Sequence, residues 1–302
     1  MNIVQCQPAR VSLNDSYDIA GLMCSSLAGV DVEFDAMIRT PLRRWWTRHV
    51  YLPAYFHFLN EGWKLVCGGQ IAAYLYLLFG RQTCHVNDIG VVPAYRRQGL
   101  ARRLMAFAEE RARARSLTAM TLAVTVRNQP AVTLYLSLGY RAAAHHFWSG
   151  RRDALLAVPA RGQPVRRREL SPAQRIQPFC DLWGRSLATL GLPAAAVVAD
   201  QARQWWTPVG RAFELWGDEP GPLGYADLVS RNGTSQLRVL PARSDDEVLL
   251  VRLVGALAPV VPDDEVQLEL GNETADTVVA ALLQAHDFQY STHGRMLMVK
   301  AV

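Results

Sequence analysis

The chain has 302 residues, half of them hydrophobic and a fifth charged, with a net charge of +5. That balance is ordinary for a globular protein with one large core or two cores of about 150 residues each. No apolar run reaches the roughly 18 residues of a membrane helix, and the N-terminal stretch has no basic segment leading into an apolar one, so a cytoplasmic protein without a secretory signal is expected.

Cys6, Cys24, Cys67, Cys84 and Cys180 are scattered and form no CxxC pair, which disfavours a disulfide framework or a zinc site. The basic balance raises nucleic acid as a partner. Against this, Lys64 and Lys300 are the only lysines, and the arginines run along the whole chain instead of forming one block.

In chain order, a strand is expected at Ile3–Cys6, a helix at Leu13–Leu27, and a second helical region carrying the tryptophan pair Trp45-Trp46. Strands follow at Lys64–Cys67, Ile71–Phe79 and Cys84–Val92. Pro93 ends the last one, because proline has no N–H for a ladder. The apolar period then changes. Leu100, Leu104, Phe107 and Ala108 fall on one helical face, with Arg102, Glu109, Glu110 and Arg113 on the other, so a helix starts near Gly99. A strand at Met120–Val126 leads to a helix opened by Asn128, then to two further strands. His145 and His146 are neighbours there and face opposite sides of a strand, so no metal is expected.

The stretch Val158–Leu170, with Pro159, Gly162 and Pro164, suits a linker. Beyond it the same order recurs: a strand near Arg166–Glu169, a helix at Ala173–Leu187, strands at Phe213–Trp216, Gly224–Val229, Gln236–Leu240 and Val266–Leu270. Trp205-Trp206 echoes Trp45-Trp46, and Asn272 echoes Asn128. The shared order implies a duplication. The expected domains are 1–160 and 165–302, and the expected class is α/β (α+β), each half having a mixed, largely antiparallel sheet flanked by helices.

The run Arg96-Arg97-Gln98-Gly99-Leu100-Ala101 links a strand to a helix. A helix start offers unpaired N–H groups and the positive dipole end, and a glycine there lets an anion approach the backbone. This run resembles the acetyl-CoA signature Arg/Gln-x-x-Gly-x-Gly/Ala of the GNAT N-acetyltransferases. The later segment with Asn128, Ala131, Leu134, Tyr135, Gly139 and Tyr140 is similar to the family's second motif.

The resemblance implies two parallel strands, Cys84–Val92 and Met120–Val126, that splay to admit the arm of acetyl-CoA. It implies that amides of Arg96, Arg97, Gln98, Gly99, Leu100, Ala101 and Arg102 hold the pyrophosphate, while main chain at Ile89, Val91 and Val92 and the side chain of Asn128 hold the arm. Asn128 is alternatively a helix cap. Val91 is the implied donor to the oxyanion, and Tyr135 the implied acid for the leaving thiolate. His85 is the first candidate base, since its ordinary pKa of roughly 6.5 suits the task. Strand alternation sets His85, Asn87, Ile89 and Val91 on one face and ranks Asp88 second.

The second half lacks the glycine turn. Pro241 breaks the strand, Asp245, Asp246 and Glu247 occupy the helix start, and Leu283 stands in place of the tyrosine. It reads as a degenerate, non-catalytic copy. The resemblance implies transfer of an acetyl group to a primary amine of a small molecule or peptide, by a monomer with pseudo-dimeric halves or a homodimer, with no membrane partner. The alternatives are an idle acetyl-CoA sensor and an RNA- or ribosome-associated protein. On the acceptor side, Asp31, Glu33 and Asp35 would attract a cationic amine and Trp45, Trp46 and Tyr55 would line an apolar wall. The plainer alternative is a solvated acidic turn beside buried tryptophans, favoured because the tryptophan pair recurs in the second half.

Overall fold

The computed structural model describes residues 7–26, 37–143, 146–158, 164–175, 210–231, 233–243, 246–270, 278–290 and 295–302, with isolated positions between 177 and 200. The expected strand at Ile3–Cys6, the acids Asp31, Glu33 and Asp35, His145, the pair Trp205-Trp206, and Asn272 lie outside these residues. The chain forms two compact units: Met1–Arg141 with Met298–Val302, and Ala142–Leu297.

The first unit runs β1 (Pro8–Arg10), α1 (Leu13–Ser26), α2 (Pro41–Trp46), a π turn (Thr47–Tyr51), α3 (Leu52–Leu59), β2 (Glu61–Cys67), β3 (Gln70–Phe79), β4 (Thr83–Val91), α4 (Leu100–Arg113), β5 (Ala119–Thr125), α5 (Gln129–Ser137) and β6 (Arg141–Ala143). The second runs β7 (His146–Arg151), α6 (Arg152–Ala157), β8 (Arg166–Leu170), β9 (Arg211–Trp216), β10 (Pro222–Arg231), β11 (Thr234–Pro241), α7 (Glu247–Leu257), β12 (Glu265–Leu270), α8 (Val278–Ala285) and β13 (Gln289–Tyr290). A last strand, β14 (Arg295–Ala301), ends the chain.

Each sheet has seven strands. The first is ordered β1-β2-β3-β4-β5-β14-β6 and the second β8-β9-β10-β11-β12-β7-β13. The orders correspond strand for strand, with one exchange. The C-terminal strand β14 lies beside β5 of the first sheet, and β7 lies beside β12 of the second. The expected boundary at 160–165 is therefore displaced. Residues 146–158 pack with the second unit, because Trp148 pairs opposite Leu268 and both are buried. The expected linker also holds the whole of β8.

Local chemistry accounts for the elements. Ser12 caps α1: its hydroxyl accepts from the Asp15 N–H at 3.3 Å, while the Asp15 carboxylate accepts from the Ser12 N–H at 2.7 Å. Gly68 and Gly69, with φ of 59° and 78°, form the two-residue turn between β2 and β3. Helix α4 buries Leu100, Leu104, Met105, Ala108 and Ala112 against the sheet. One face assignment changes: Glu109, expected to point outward, is buried. Its carboxylate pairs with Lys300 of β14 at 2.7 Å.

Cys24, Cys84 and Cys180 are free thiols, but Cys67 is disulfide-bonded, a correction to the expectation that the spacing disfavours bridging. Among the described residues no helix is long and apolar enough to cross a membrane.

Candidate active site

Strand β4 pairs antiparallel with β3 along its length, but its parallel pairing with β5 covers only Thr83↔Ala119, Cys84↔Met120, His85↔Thr121 and Val86↔Leu122. Both strands continue, β4 to Val91 and β5 to Thr125. They part after Val86, leaving a gap edged by backbone. A bulge marks the same point: Leu77 pairs with Val86 and Tyr76 with Asp88, so Asn87 is the extra residue.

The bulge re-aims the strand. Directly opposed residues share a face, so His85 (opposite Leu78) and Asp88 (opposite Tyr76) lie on one face, while Ile89 and Val91 lie on the other. The simple alternation that grouped His85 with Ile89 and Val91 is thereby corrected. No local signal marks the bulge, since neither glycine nor proline stands at Val86, Asn87 or Asp88.

The same ladder sorts the main-chain groups. The Val92 N–H donates to the Ala72 carbonyl at 2.9 Å, and the Val92 carbonyl accepts from the Tyr95 N–H at 2.8 Å. Val92 is thus committed to the fold and drops out of the set expected to hold the arm. In an antiparallel ladder the next residue points its groups the opposite way. Val91, opposite Ala73, and Ile89, opposite Leu75, turn theirs toward the gap. Arg96 Nε donates to the Val91 carbonyl at 3.2 Å, tying the following turn to the strand.

That turn ends in Gly99, which has φ 80° and starts α4 without any side-chain cap. A β-carbon on Gly99 would meet no atom within 4 Å, so the backbone angle demands the glycine and the space before the helix stays open. Arg97 also has a positive φ, 62°, which costs a non-glycine residue energy. The first-turn amides of Leu100, Ala101 and Arg102 open this helix. The Arg102 side chain reaches across to Ser137 Oγ of α5 at 2.7 Å.

Tyr135 on α5 is buried, and burial raises its phenol well above the ordinary range, with the charge of Asp88 adding to the effect. Its proton is therefore held at any physiological pH. The Asn128 Oδ1 accepts from the Ala131 N–H at 3.4 Å, so the cap reading of Asn128 is realised, with its Nδ2 still able to donate.

His85 lies in the paired part of the strands, below the point where they part. It is 2% exposed, and its Nδ1 is 2.9 Å from Thr121 Oγ1. Burial pulls its pKa down to about 4. A ring so placed is a poor proton acceptor at neutral pH, and the second candidate, Asp88, stands at the end of the bulge.

Asn87 donates from Nδ2 to Asn60 Oδ1 at 2.9 Å and to Tyr55 Oη at 3.3 Å. This junction between the bulge and the end of α3 had no signal in the sequence. Tyr55 stacks on Tyr51 at 5.6 Å, and Tyr51 on Trp46 at 5.5 Å. Trp45 and Trp46 are 57% and 49% exposed, which removes the expectation of buried tryptophans. Among the described residues no three His, Cys, Asp or Glu side chains form a metal cluster.

Residues 27–140 match the family model described as the acetyltransferase (GNAT) family. The match covers over a third of the chain, and that segment is similar to a GNAT domain. The parted strands, the glycine-opened α4 and the Asn128–Tyr135 segment all fall inside that match. Among solved structures, a GCN5-related N-acetyltransferase from Sphaerobacter thermophilus is 18% identical, with 98% of this chain and 95% of that chain covered and a TM-score of 0.52. One from Anabaena variabilis is 14% identical, with 98% and 72% covered and a TM-score of 0.52. At that identity these two share the fold, and the likeness spans both halves. A tandem GNAT protein from the clavulanic acid biosynthesis pathway is 18% identical over 98% of each chain, with a TM-score of 0.48. No curated protein matches the chain.

The second sheet repeats the GNAT strand order but not the gap. Strands β11 and β12 stay paired from Thr234↔Glu265 to Val239↔Leu270, the whole of β12. At the start of α7 the Asp246 carboxylate accepts from the Leu249 N–H at 2.8 Å. This helix start is thus capped by the chain's own acid, whereas that of α4 carries no side-chain cap.

Proposed function

We propose that the first unit is an acetyl-CoA-dependent N-acetyltransferase that acylates a primary amine by direct attack. The observation that carries this reading is the parting of β4 and β5 after Val86, set beside the uncapped start of α4 at Gly99. The residues present fit the cofactor. Amides from Arg96 to Arg102 would hold the pyrophosphate, and main chain at Ile89 and Val91 the arm, with Asn128 Nδ2 beside it. Acetyl-CoA supplies an activated acetyl thioester.

The chain's own groups then divide the work. The Val91 N–H faces the gap and offers a hydrogen bond to negative charge developing on the acyl oxygen. Tyr135 keeps its proton at neutral pH and is suited to give it to a leaving sulfur. Asp88, at the end of the bulge, is suited to accept a proton from the amine, while His85 stays neutral in the core. The second unit, with its parallel strands closed and its helix start self-capped, carries no such role.

Calorimetry with acetyl-CoA tests the reading. Wild-type protein is expected to bind, and Gly99→Glu, which sets a carboxylate at the helix start, is expected to lose binding at least a hundredfold. Equal affinity in the two proteins would overturn the site.

A further inference from the structure

Helix α2 is six residues long and buries none of them, although Leu42, Trp45 and Trp46 are large and apolar. Leu42 is 77% exposed. Solvated tryptophans in a row are uncommon on a monomer surface and mark a contact site. A groove of about 570 Å³ runs along them, lined by Met37, Leu42, Arg43, Trp45, Trp46 and Thr47.

Arg43, Arg44 and Arg48 punctuate this surface, and none of them takes part in an ion pair among the described residues. Among the described residues no carboxylate lines the groove. The surface is thus apolar, aromatic and positive. It is also continuous with the proposed catalytic gap: Trp46, Tyr51 and Tyr55 stack in steps of 5.5 and 5.6 Å, and Tyr55 Oη is 3.3 Å from Asn87 Nδ2 at the bulge.

Length and openness select the kind of occupant. A small ligand is normally enclosed over most of its surface, and side chains half or more exposed do not enclose one. An extended chain rises roughly 3.3 Å per residue, so a few residues reach from the groove to the bulge. From the charge complementarity and this continuity we infer that α2 and its groove receive the acidic, aromatic-containing segment of a peptide acceptor whose free N-terminal amine reaches the gap. The inference rests on the reading of that gap as the acetyl-transfer site, and it names the acceptor.

Binding tests it independently of turnover. Fluorescence anisotropy compares two C-terminally labelled peptides, Ala-Phe-Asp-Phe-Asp-Glu and Ala-Phe-Lys-Phe-Lys-Lys. The acidic peptide is expected to bind at least tenfold more tightly, with the margin shrinking as salt rises. Arg43→Glu combined with Arg44→Glu removes no buried group and is expected to abolish or invert the preference. Trp46→Ala is expected to weaken the acidic peptide at least fivefold.

Equal binding of the two peptides, or a preference unchanged in the double variant, overturns the inference. So does sedimentation with phosphatidylglycerol vesicles in the absence of any peptide preference, which would assign the patch to a membrane surface. Acetyl-CoA affinity is read separately. Its absence alongside a retained peptide preference overturns the transferase reading and leaves the docking surface standing.

Discussion

Tyr135 and His85 show how burial sets chemistry at single residues. Both are removed from water, and burial favours the neutral form of each. For tyrosine that preserves the proton an acid needs. For histidine it removes the affinity a base needs. Tyr135→Phe keeps the ring and loses the proton, so kcat is expected to fall ten- to a hundredfold while the acetyl-CoA dissociation constant stays within twofold, checked by thioester turnover and calorimetry.

His85 also sets a pH dependence of stability. Its pKa is about 4 in the native state against roughly 6.5 when unfolded. The unfolded chain therefore binds the proton first, and stability that is complete above about pH 6.5 is lost as pH falls toward 4. The loss is of the order of 3 kcal/mol. Urea midpoints at pH 7.5 and 4.5 are expected to differ by less in His85→Gln than in the wild type. Gly99→Ala, which forces φ of 80° on a residue with a β-carbon, is expected to cost about 1 kcal/mol with no steric clash.

At the scale of elements, the bulge in β4 and the early end of its pairing with β5 do one job together. The first sets Asp88 on the face of Tyr76, which packs against α1 and α3, and the second opens the backbone of Ile89 and Val91. Helix α4 was readable because its apolar period is strong. Its Glu109 was misassigned because charge alone does not reveal a partner 191 positions away in sequence. Glu109 and Lys300 form a pair with both side chains largely covered, and Lys300 also lies 5.8 Å from the Tyr140 ring centroid. Lys300→Met leaves Glu109 only the more exposed Arg113, 3.3 Å away, as an ionic partner, and is expected to destabilise the protein by about 2 kcal/mol. The companion Glu109→Gln/Lys300→Met variant is expected to recover more than half of that, both read as shifts in the urea midpoint.

At the scale of the molecule, the exchange of β7 and β14 means that neither half of the sequence is a folding unit by itself. The strand β14 supplies a neighbour of β5, and β5 borders the gap. Deleting Met298–Val302 uncovers that edge, which is an aggregation template. The truncated chain is expected to lose its cooperative unfolding transition and its acetyl-CoA binding together, seen by calorimetry. Expression of residues 1–160 alone is expected to fail in the same way.

The order of the elements, the glycine-opened helix, the Asn128–Tyr135 segment and the loss of the turn in the second half were all legible in the sequence. Each depends on local patterns: apolar period, caps, and the backbone freedom of glycine. The bulge at Asn87, the neutral buried state of His85, the commitment of Val92, the exposure of Trp45 and Trp46, and the exchanged strands were decided by tertiary structure. Each depends on which strand lies beside which, and how much water is left between them. A chain written in one dimension does not carry that information at any single residue.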